Sequence, residues 1–272
     1  MNESRTTPAR SWARWQARWY LWDGGFLAFG RSDGTVPPHE HHAIQVTVGL
    51  DGDIGMAAEG GEFGTYRGVI TAPDIAHQLD MRGTFAALLF IDPESHEGRW
   101  LRRSLTGPLT EIPESRLEAF HTAMCVIRDE ALDGVETSRA IYAAVRGLCS
   151  GPPPSRSLDP RVLRALEVIR EMDTKKISLE EVAAAVYLSP SRFAHIFSET
   201  VGLPFRRYVL WRRITRAMLA VGRGSTLTAA AHSCGFADSA HLTRACTQMF
   251  GQPPSVMLEA GEFYEIPPLN GP

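Results

Sequence analysis

The chain contains little of several residue types and patterns that would indicate particular classes of protein. It has four cysteines among 272 residues, and no two of them have metal-ligand spacing or suggest a disulfide framework. Nowhere do 18 apolar residues run together, and the N-terminus lacks the apolar core of a signal peptide. These absences argue against a secreted disulfide scaffold and a membrane protein, so we expect a soluble cytoplasmic protein without membrane contact.

Lysine is also scarce, occurring only at Lys175 and Lys176, so arginine supplies nearly all of the positive charge. The formal net charge of −3 conceals an uneven distribution. Residues 1–155 contain 14 Lys and Arg against 20 Asp and Glu, whereas residues 156–260 contain 14 against 9. A basic C-terminal part joined to an acidic N-terminal part is typical of a nucleic-acid reader with a separate partner domain.

Two copies of one helical pattern occupy residues 179–253. The first reads LEEVAAAVYLSPSRFAHIFSETVGLP and the second reads TAAAHSCGFADSAHLTRACTQMFGQP. At an offset of 49 residues, Ser189 aligns with Asp238 and Gly202 with Gly251. Ser and Asp are good N-caps and glycine is a common helix stop, so each copy predicts a helix, a turn and a second helix. This is the pattern of a helix-turn-helix unit.

A predicted helix over residues 205–221 joins the two copies. Its length of ~25 Å would hold the two second helices about one DNA turn apart, ~34 Å. Five arginines lie along it, and we expect them, Arg212 and Arg213 in particular, to contact DNA phosphates. These arginines are Arg206, Arg207, Arg212, Arg213 and Arg216.

Residues 158–258 resemble the DNA-binding domain of AraC-type (AraC/XylS) transcription regulators, and the closing FGQPPSVM (residues 250–257) resembles the end of that family's signature. The resemblance implies that outward residues early in each second helix contact bases. Arg244 is the foremost candidate, because a guanidinium can bond bidentately to guanine O6 and N7. Carried over by position, the candidates are Ser191, Arg192 and His195 in the first copy, and Ala240, His241, Thr243 and Arg244 in the second.

The N-terminal half predicts short strands separated by glycine-rich turns, an arrangement typical of a small β-barrel. Four tryptophans precede the strands, and their spacing fits either one helical face or the end of a strand; they are Trp12, Trp15, Trp19 and Trp22. The predicted strands are residues 26–29, 43–49, 54–57, 68–72 and 85–91.

Histidines are concentrated in PPHEHHAIQV (residues 37–46), with a further one in GVITAPDIAHQL (residues 68–79). On a regular strand, His39 and His41 point to one face, Gln45 lies on the same face, and His77 approaches from a later strand. This partly resembles the two cupin motifs, in which histidines from separate strands converge on a metal. Gln45 stands where many cupins have a carboxylate ligand, which weakens the match.

Three interpretations of these histidines remain open. They can form the polar floor of a small-molecule pocket, hold a divalent metal (zinc, nickel or iron) for sensing, or form a satisfied polar patch without a ligand. The resemblance to AraC-type regulators implies an inducer-binding, cupin-like barrel but does not identify the inducer.

These patterns together predict an α+β protein of two domains. We expect a cupin-like effector-binding and dimerisation domain over residues 1–150, a linker over 151–157 and an all-α DNA-binding domain with two helix-turn-helix units over 158–260. Helices predicted over 114–133 and 136–148 would cover the barrel or form a homodimer.

The predicted function is a transcription regulator rather than an enzyme. Its partners would be double-stranded DNA, a small-molecule or metal effector, a second copy of the chain and, for an activator, RNA polymerase. One alternative is a metal-dependent cupin enzyme fused to a DNA-binding domain, against which Gln45 argues. Another is a constitutive regulator whose barrel only dimerises.

Overall fold

The structure, a computed structural model, describes residues 16–32, 34–152, 158–259 and 261–269. The N-terminal part consists mainly of strands, and one further strand, β11, lies after the helices and pairs with β1. The strands are β1 (Gln16–Trp22), β2 (Gly25–Arg31), β3 (Thr35–His39), β4 (Ile44–Gly49), β5 (Ile54–Ala58), β6 (Gly64–Tyr66), β7 (Gly68–Thr71), β8 (His77–Asp80), β9 (Phe85–Ile91), β10 (Leu109–Glu111) and β11 (Gly261–Glu265).

Helices dominate from residue 114 onwards, after one short helix that follows β9. They are α1 (His96–Leu101), α2 (Glu114–Asp129), α3 (Gly134–Leu148), α4 (Pro160–Glu171), α5 (Leu179–Ala185), α6 (Pro190–Val201), α7 (Phe205–Gly222), α8 (Leu227–Ser233), α9 (Ser239–Phe250) and α10 (Pro254–Glu259). Among the described residues, no helix is long and apolar enough to cross a membrane.

The strands form two sheets, which we call the β-domain. One sheet has the order β10-β7-β4-β9-β2-β1-β11, and the other has the order β3-β8-β5-β6. All six residues of β4 are buried, which fits its central place between β7 and β9. The two-domain α+β prediction is therefore confirmed, with a β-rich N-terminal domain and an all-helical domain over residues 158–259, which we call the helical domain.

The tryptophan segment is a strand where the structure describes it, not a helix. Trp19 and Trp22 lie on β1, which pairs antiparallel with β2 along its whole length. Cross-strand pairing satisfies the backbone hydrogen bonds that a helix would otherwise make internally. Trp12 and Trp15 lie outside the described residues.

Strand β11 returns from the helical domain to the β-domain. It pairs in parallel with β1, from Ala17 opposite Gly261 to Leu21 opposite Glu265. The indole of Trp19 stacks on Phe263 with ring centroids 6.0 Å apart. The chain beyond α10 therefore covers an edge strand that would otherwise expose unpaired backbone groups.

Both helix-turn-helix units form as the capping residues predict. The hydroxyl of Ser189 accepts a hydrogen bond from the backbone N–H of Arg192, and a carboxylate oxygen of Asp238 accepts one from that of His241. Gly202 and Gly251 end their helices in the left-handed conformation, with φ of 94° and 69°. A residue with a side chain pays ~1–2 kcal/mol for that conformation, so glycine is favoured at both positions.

The two helix-turn-helix units are buried in different hydrophobic cores. The first unit packs with α4 and the start of α7 in a core of its own, which includes Val162, Phe197 and Tyr208. The second unit shares one continuous core with the β-domain, in which Phe250 lies beside Phe26. A separate core joins α2 and α3 to the large sheet.

Candidate DNA-binding surface and buried histidine cluster

The candidate base-contacting residues lie on the outer surface of α6 and α9. Ser191, Arg192 and His195 are exposed on α6, as are Ala240, His241 and Arg244 on α9, and Thr243 is half-buried. Their helices are fixed from behind by buried apolar residues such as Phe193 and Leu242. Each unit therefore presents an outward helix face of the kind that enters a DNA groove.

Two arginines of α7, Arg212 and Arg213, were expected to contact DNA phosphates but make contacts within the protein instead. Arg212 is only 3% exposed and faces the β-domain. Arg213 donates to the backbone carbonyls of Thr174 and Gly235 at 3.2 and 3.4 Å. In this arrangement of the domains Arg212 is unavailable to DNA and Arg213 supports the helical domain itself. Arg206 remains exposed on the first turn of α7.

Arg212 instead joins the two domains through two carboxylates of the β-domain, of which Asp92 is buried and Asp23 is exposed. Its guanidinium donates to Asp23 at 2.6 Å and to Asp92 at 3.4 Å, while the indole N–H of Trp211 donates to Asp92 at 2.6 Å. Asp92 is itself 4% exposed. No periodicity in the sequence pairs Arg212 with these two carboxylates, because they lie about 120 and 190 positions away along the chain.

The three histidines lie close together as expected, but the backbone geometry that brings them together differs from the regular strand that was predicted. His39 ends β3, His41 lies in the bend between β3 and β4, Gln45 lies on β4, and His77 begins β8. The chain from residue 39 to 45 is therefore not one regular strand, and alternation alone does not explain the convergence. One ligand atom from each of the three histidines lies within 4.8 Å of the others, and all three side chains are buried.

Each of these three imidazoles has its Nδ1 beside a backbone carbonyl. The Nδ1–O distances are 2.8 Å for His39 with Pro37, 3.2 Å for His41 with Ala43 and 2.8 Å for His77 with Ile75. A proton on Nδ1 would be donated to that carbonyl, which leaves the lone pair on Nε2. Second-shell partners of this kind hold the histidine ligands of metals in proteins.

The side chain of Gln45 completes the cluster. Its Oε1 lies 2.9 Å from Nε2 of His41 and 3.2 Å from Nε2 of His77. Its Nε2 donates to the hydroxyl of Thr47 at 2.8 Å, which orients the amide oxygen towards the histidines. Thr47 was not singled out in the sequence, since a threonine inside a buried strand carries no distinctive signal.

Burial determines the protonation of the cluster. It lowers the pKa of His39 to about 3, with a further decrease from the neighbouring His77. Burial also lowers the pKa of His41 well below its usual range and lowers that of His77. All three imidazoles are consequently neutral at physiological pH, which is the form that binds metals.

His42 belongs to a different, charged cluster. Its Nδ1 lies 2.8 Å from Asp74 and its Nε2 lies 3.0 Å from Glu94. Although burial opposes the charge, these two carboxylates raise the pKa of His42 to about 10. The side chain of Glu40 points elsewhere and pairs with Arg207 of α7.

A cavity of about 40 Å³ lies beside the histidine cluster, between the two domains. That volume admits water molecules but not a drug-sized ligand, for which pockets of ~300–1,000 Å³ are usual. Trp19 and Gln252 line the cavity, and each carries a buried side-chain nitrogen without a hydrogen-bond partner in the described part of the chain. The lining residues are Trp19, Phe26, Ala28, Val36, His39, Gln45, Leu79, Leu88, Phe90, Phe250, Gln252 and Met257.

Comparison with known families identifies the C-terminal part. Residues 161–260 match the family model described as "Helix-turn-helix domain", and this region is an AraC-type helix-turn-helix domain. The chain is 30% identical over 115 residues to YijO of Escherichia coli (strain K12), named an uncharacterized HTH-type transcriptional regulator. That match covers 40% of this chain and 41% of YijO, so it spans about two fifths of the relative.

Solved structures of ToxT from Vibrio cholerae resemble the chain over most of its length. An apo variant of ToxT has a TM-score of 0.61 at 11% identity and covers 87% of this chain and 97% of its own. Wild-type ToxT with a bound unsaturated fatty acid has a TM-score of 0.54 at 11% identity, covering 95% and 97%. At such identities the likeness is one of fold, and it extends across both domains.

Proposed function

We propose that this protein is a sequence-specific DNA-binding transcription regulator whose activity is controlled by an effector bound in the β-domain. The observation that carries the proposal is the pair of outward helix faces on α6 and α9, joined by the 18 residues of α7. A helix of that length spans ~27 Å, which suits two successive major grooves on one side of DNA. The match of residues 161–260 to the helix-turn-helix family supports it.

In vitro selection from random duplex DNA tests this role. The full chain should enrich one bipartite motif, and the double variant Arg192→Ala/Arg244→Ala should lose enrichment while remaining folded by circular dichroism. Salt titration separates base contacts from phosphate contacts, since loss of a phosphate contact makes the salt dependence shallower. Enrichment of no motif by the folded wild-type protein would contradict the proposal.

We propose a divalent metal as the effector. The supporting features are the neutral imidazoles of His39, His41 and His77, their backbone-bonded Nδ1 atoms and the oxygen of Gln45. Zinc, nickel and iron all accept imidazole ligands. Four-coordinate zinc holds its nitrogens about 3.4 Å apart, so the present separations of up to 4.8 Å require only small side-chain rotations.

An organic effector fits the present cavity less well. The ToxT structures include one with a bound unsaturated fatty acid. Here about 40 Å³ is open, and no lysine or arginine is among the residues that line it. A fatty acid would need Phe250 and Met257 to move away, and its carboxylate would meet no lysine or arginine among the described residues that line the cavity.

Titration of the full chain with Co²⁺, after removal of any affinity tag and of metal with a chelator, tests the effector. The visible absorption of cobalt should saturate at one equivalent, and His77→Gln should abolish it. His121→Gln, a half-buried histidine on α2 outside the cluster, is the matched control and should bind normally. Gln45→Glu should tighten binding by about tenfold or more, because a carboxylate attracts the cation. Absence of saturable binding in both the wild type and Gln45→Glu would contradict a metal effector.

We also propose a homodimer in the cytoplasm, where a regulator meets its DNA. The outer surfaces of α2 and α3 support the dimer, since Val135 is 47% exposed there. For an activator, RNA polymerase would be a further partner. Analytical ultracentrifugation tests the dimer, and a purely monomeric protein at micromolar concentration would contradict it.

A further inference from the structure

The cavity beside the histidine cluster is built by both domains. Its β-domain side includes His39, Gln45 and Trp19, and its helical-domain side includes Phe250 and Gln252. Contact between the two sides is close: a Cβ added to Gly251 would lie 2.9 Å from the carbonyl oxygen of Pro37 and 3.1 Å from Nδ1 of His39. A ligand held by the histidines therefore lies directly against the end of α9.

Two of the side chains that line this cavity carry a buried hydrogen-bond donor with no acceptor in the described part of the chain. Gln252 is 4% exposed and Trp19 is 5% exposed. The amide nitrogen of Gln252 and the indole nitrogen of Trp19 are both buried without a partner among the described residues. Leaving such donors unsatisfied is costly, so each of them indicates an oxygen acceptor that belongs in the cavity.

We propose that the cavity is a split effector site, in which a water molecule on the histidine-bound metal accepts hydrogen bonds from Trp19 of the β-domain and Gln252 of the helical domain. This inference rests on the metal effector proposed above. Its ligands are a divalent metal at His39, His41, His77 and Gln45, and one coordinated water.

The size of the cavity matches that ligand. One water needs ~10–15 Å³ of such space, and about 40 Å³ is open. A metal-bound water presents its oxygen to N–H donors, as the indole and amide here require. Because Gln252 follows Gly251 immediately after α9, metal binding and the docking of the second helix-turn-helix unit favour each other.

Gln252 is therefore a positioning residue that couples metal binding to the docking of the second helix-turn-helix unit. The same water could not bridge the domains if α9 withdrew, so metal should slow local opening of α9 and α10. The first helix-turn-helix unit has its own core away from the cavity, and its opening should be insensitive to metal.

The test combines Co²⁺ titration with amide hydrogen exchange on the full chain, comparing wild type with Gln252→Leu. Gln248→Leu, an exposed glutamine on the same helix, is the matched control. In the wild type and in Gln248→Leu, one equivalent of Co²⁺ should slow exchange across residues 239–259 at least threefold, with no change across 179–201. In Gln252→Leu, Co²⁺ should still bind, several-fold more weakly, without slowing exchange in 239–259.

Two results would overturn the split site. One is protection of residues 239–259 by saturating Co²⁺ in Gln252→Leu equal to that in wild type. The other is equal Co²⁺ affinity in those two proteins. Both results leave the metal effector standing, whereas failure of Co²⁺ to bind the wild type and Gln45→Glu removes the effector and the split site together. The DNA selection, performed on chelator-treated protein both without and with added Co²⁺, tests the regulator role independently of either.

Discussion

The two helix-turn-helix units have one pattern and different surroundings. The first, α5 with α6, is stabilised by α4 and α7 within the helical domain. The second, α8 with α9, buries Phe250 among Phe26 and Phe90 of the β-domain. The first unit therefore has an apolar core of its own, while the second is buried in a core that it shares with the β-domain.

The largest effect should come from the buried ion pair that docks α7 on the β-domain. Replacing Arg212 by Ala leaves Asp92 buried without its cation, which costs ~3–5 kcal/mol. Arg206→Ala, on the exposed first turn of the same helix, should change stability by less than ~0.5 kcal/mol. Urea unfolding followed by tryptophan fluorescence measures both. Equal stability of the two variants would show that the domains are not held by this contact.

The two glycine stops give a matched pair of substitutions. Gly202→Ala introduces only the cost of the left-handed conformation, ~1–2 kcal/mol, because the nearest atom to an added Cβ is Nη2 of Arg102 at 3.6 Å. Gly251→Ala should cost ~1–3 kcal/mol more, since its Cβ would lie 2.8 Å from Val36 and 2.9 Å from the carbonyl of Pro37. Thermal unfolding and hydrogen exchange should locate the extra loss at the domain interface, and equal losses for both variants would contradict such tight docking.

The DNA contacts of the two units should also differ in strength. Arg244→Ala should lose ~1–3 kcal/mol of discrimination at one base pair, as expected for a bidentate contact to guanine. His195→Ala, in the corresponding turn of α6, should lose less than ~1 kcal/mol, since an imidazole cannot bond to a base bidentately as a guanidinium can. Competition binding with single-base operator variants measures both. If Arg244→Ala weakens binding equally to all sequences, Arg244 contacts phosphate.

Acid should weaken the β-domain and the second unit before the first. The pKa of His39 is about 3 in the folded protein and ~6.5 when unfolded, so its contribution is complete above pH 6.5 and is lost as pH falls. At pH 5.5 this one group should cost ~1.4 kcal/mol. Chelator-treated protein should therefore show lower stability at pH 5.5 than at pH 7, and His39→Gln should show a smaller difference. An unchanged pH dependence in His39→Gln would contradict the burial of a neutral imidazole there.

The helix boundaries of the helical domain could be predicted from the sequence because they depend on local interactions. The caps at Ser189 and Asp238 and the stops at Gly202 and Gly251 are set by neighbouring backbone groups, so their positions follow from the chain itself. The same holds for the length of α7 and for the outward residues of α6 and α9. The histidines at positions 39, 41 and 77 could be named as a set, although the bend between β3 and β4 could not.

Tertiary structure alone decided which residues meet across the domains. The pairing of Arg212 with Asp23 and Asp92, the return of β11 to β1, and the position of Gln252 beside the histidines depend on packing between distant segments. Such contacts are set by the shapes of two folded surfaces and leave no periodic trace in the sequence. The amino-acid order therefore determined two similar helix-turn-helix units, and the packing of the domains determined that only the second shares its hydrophobic core with the β-domain.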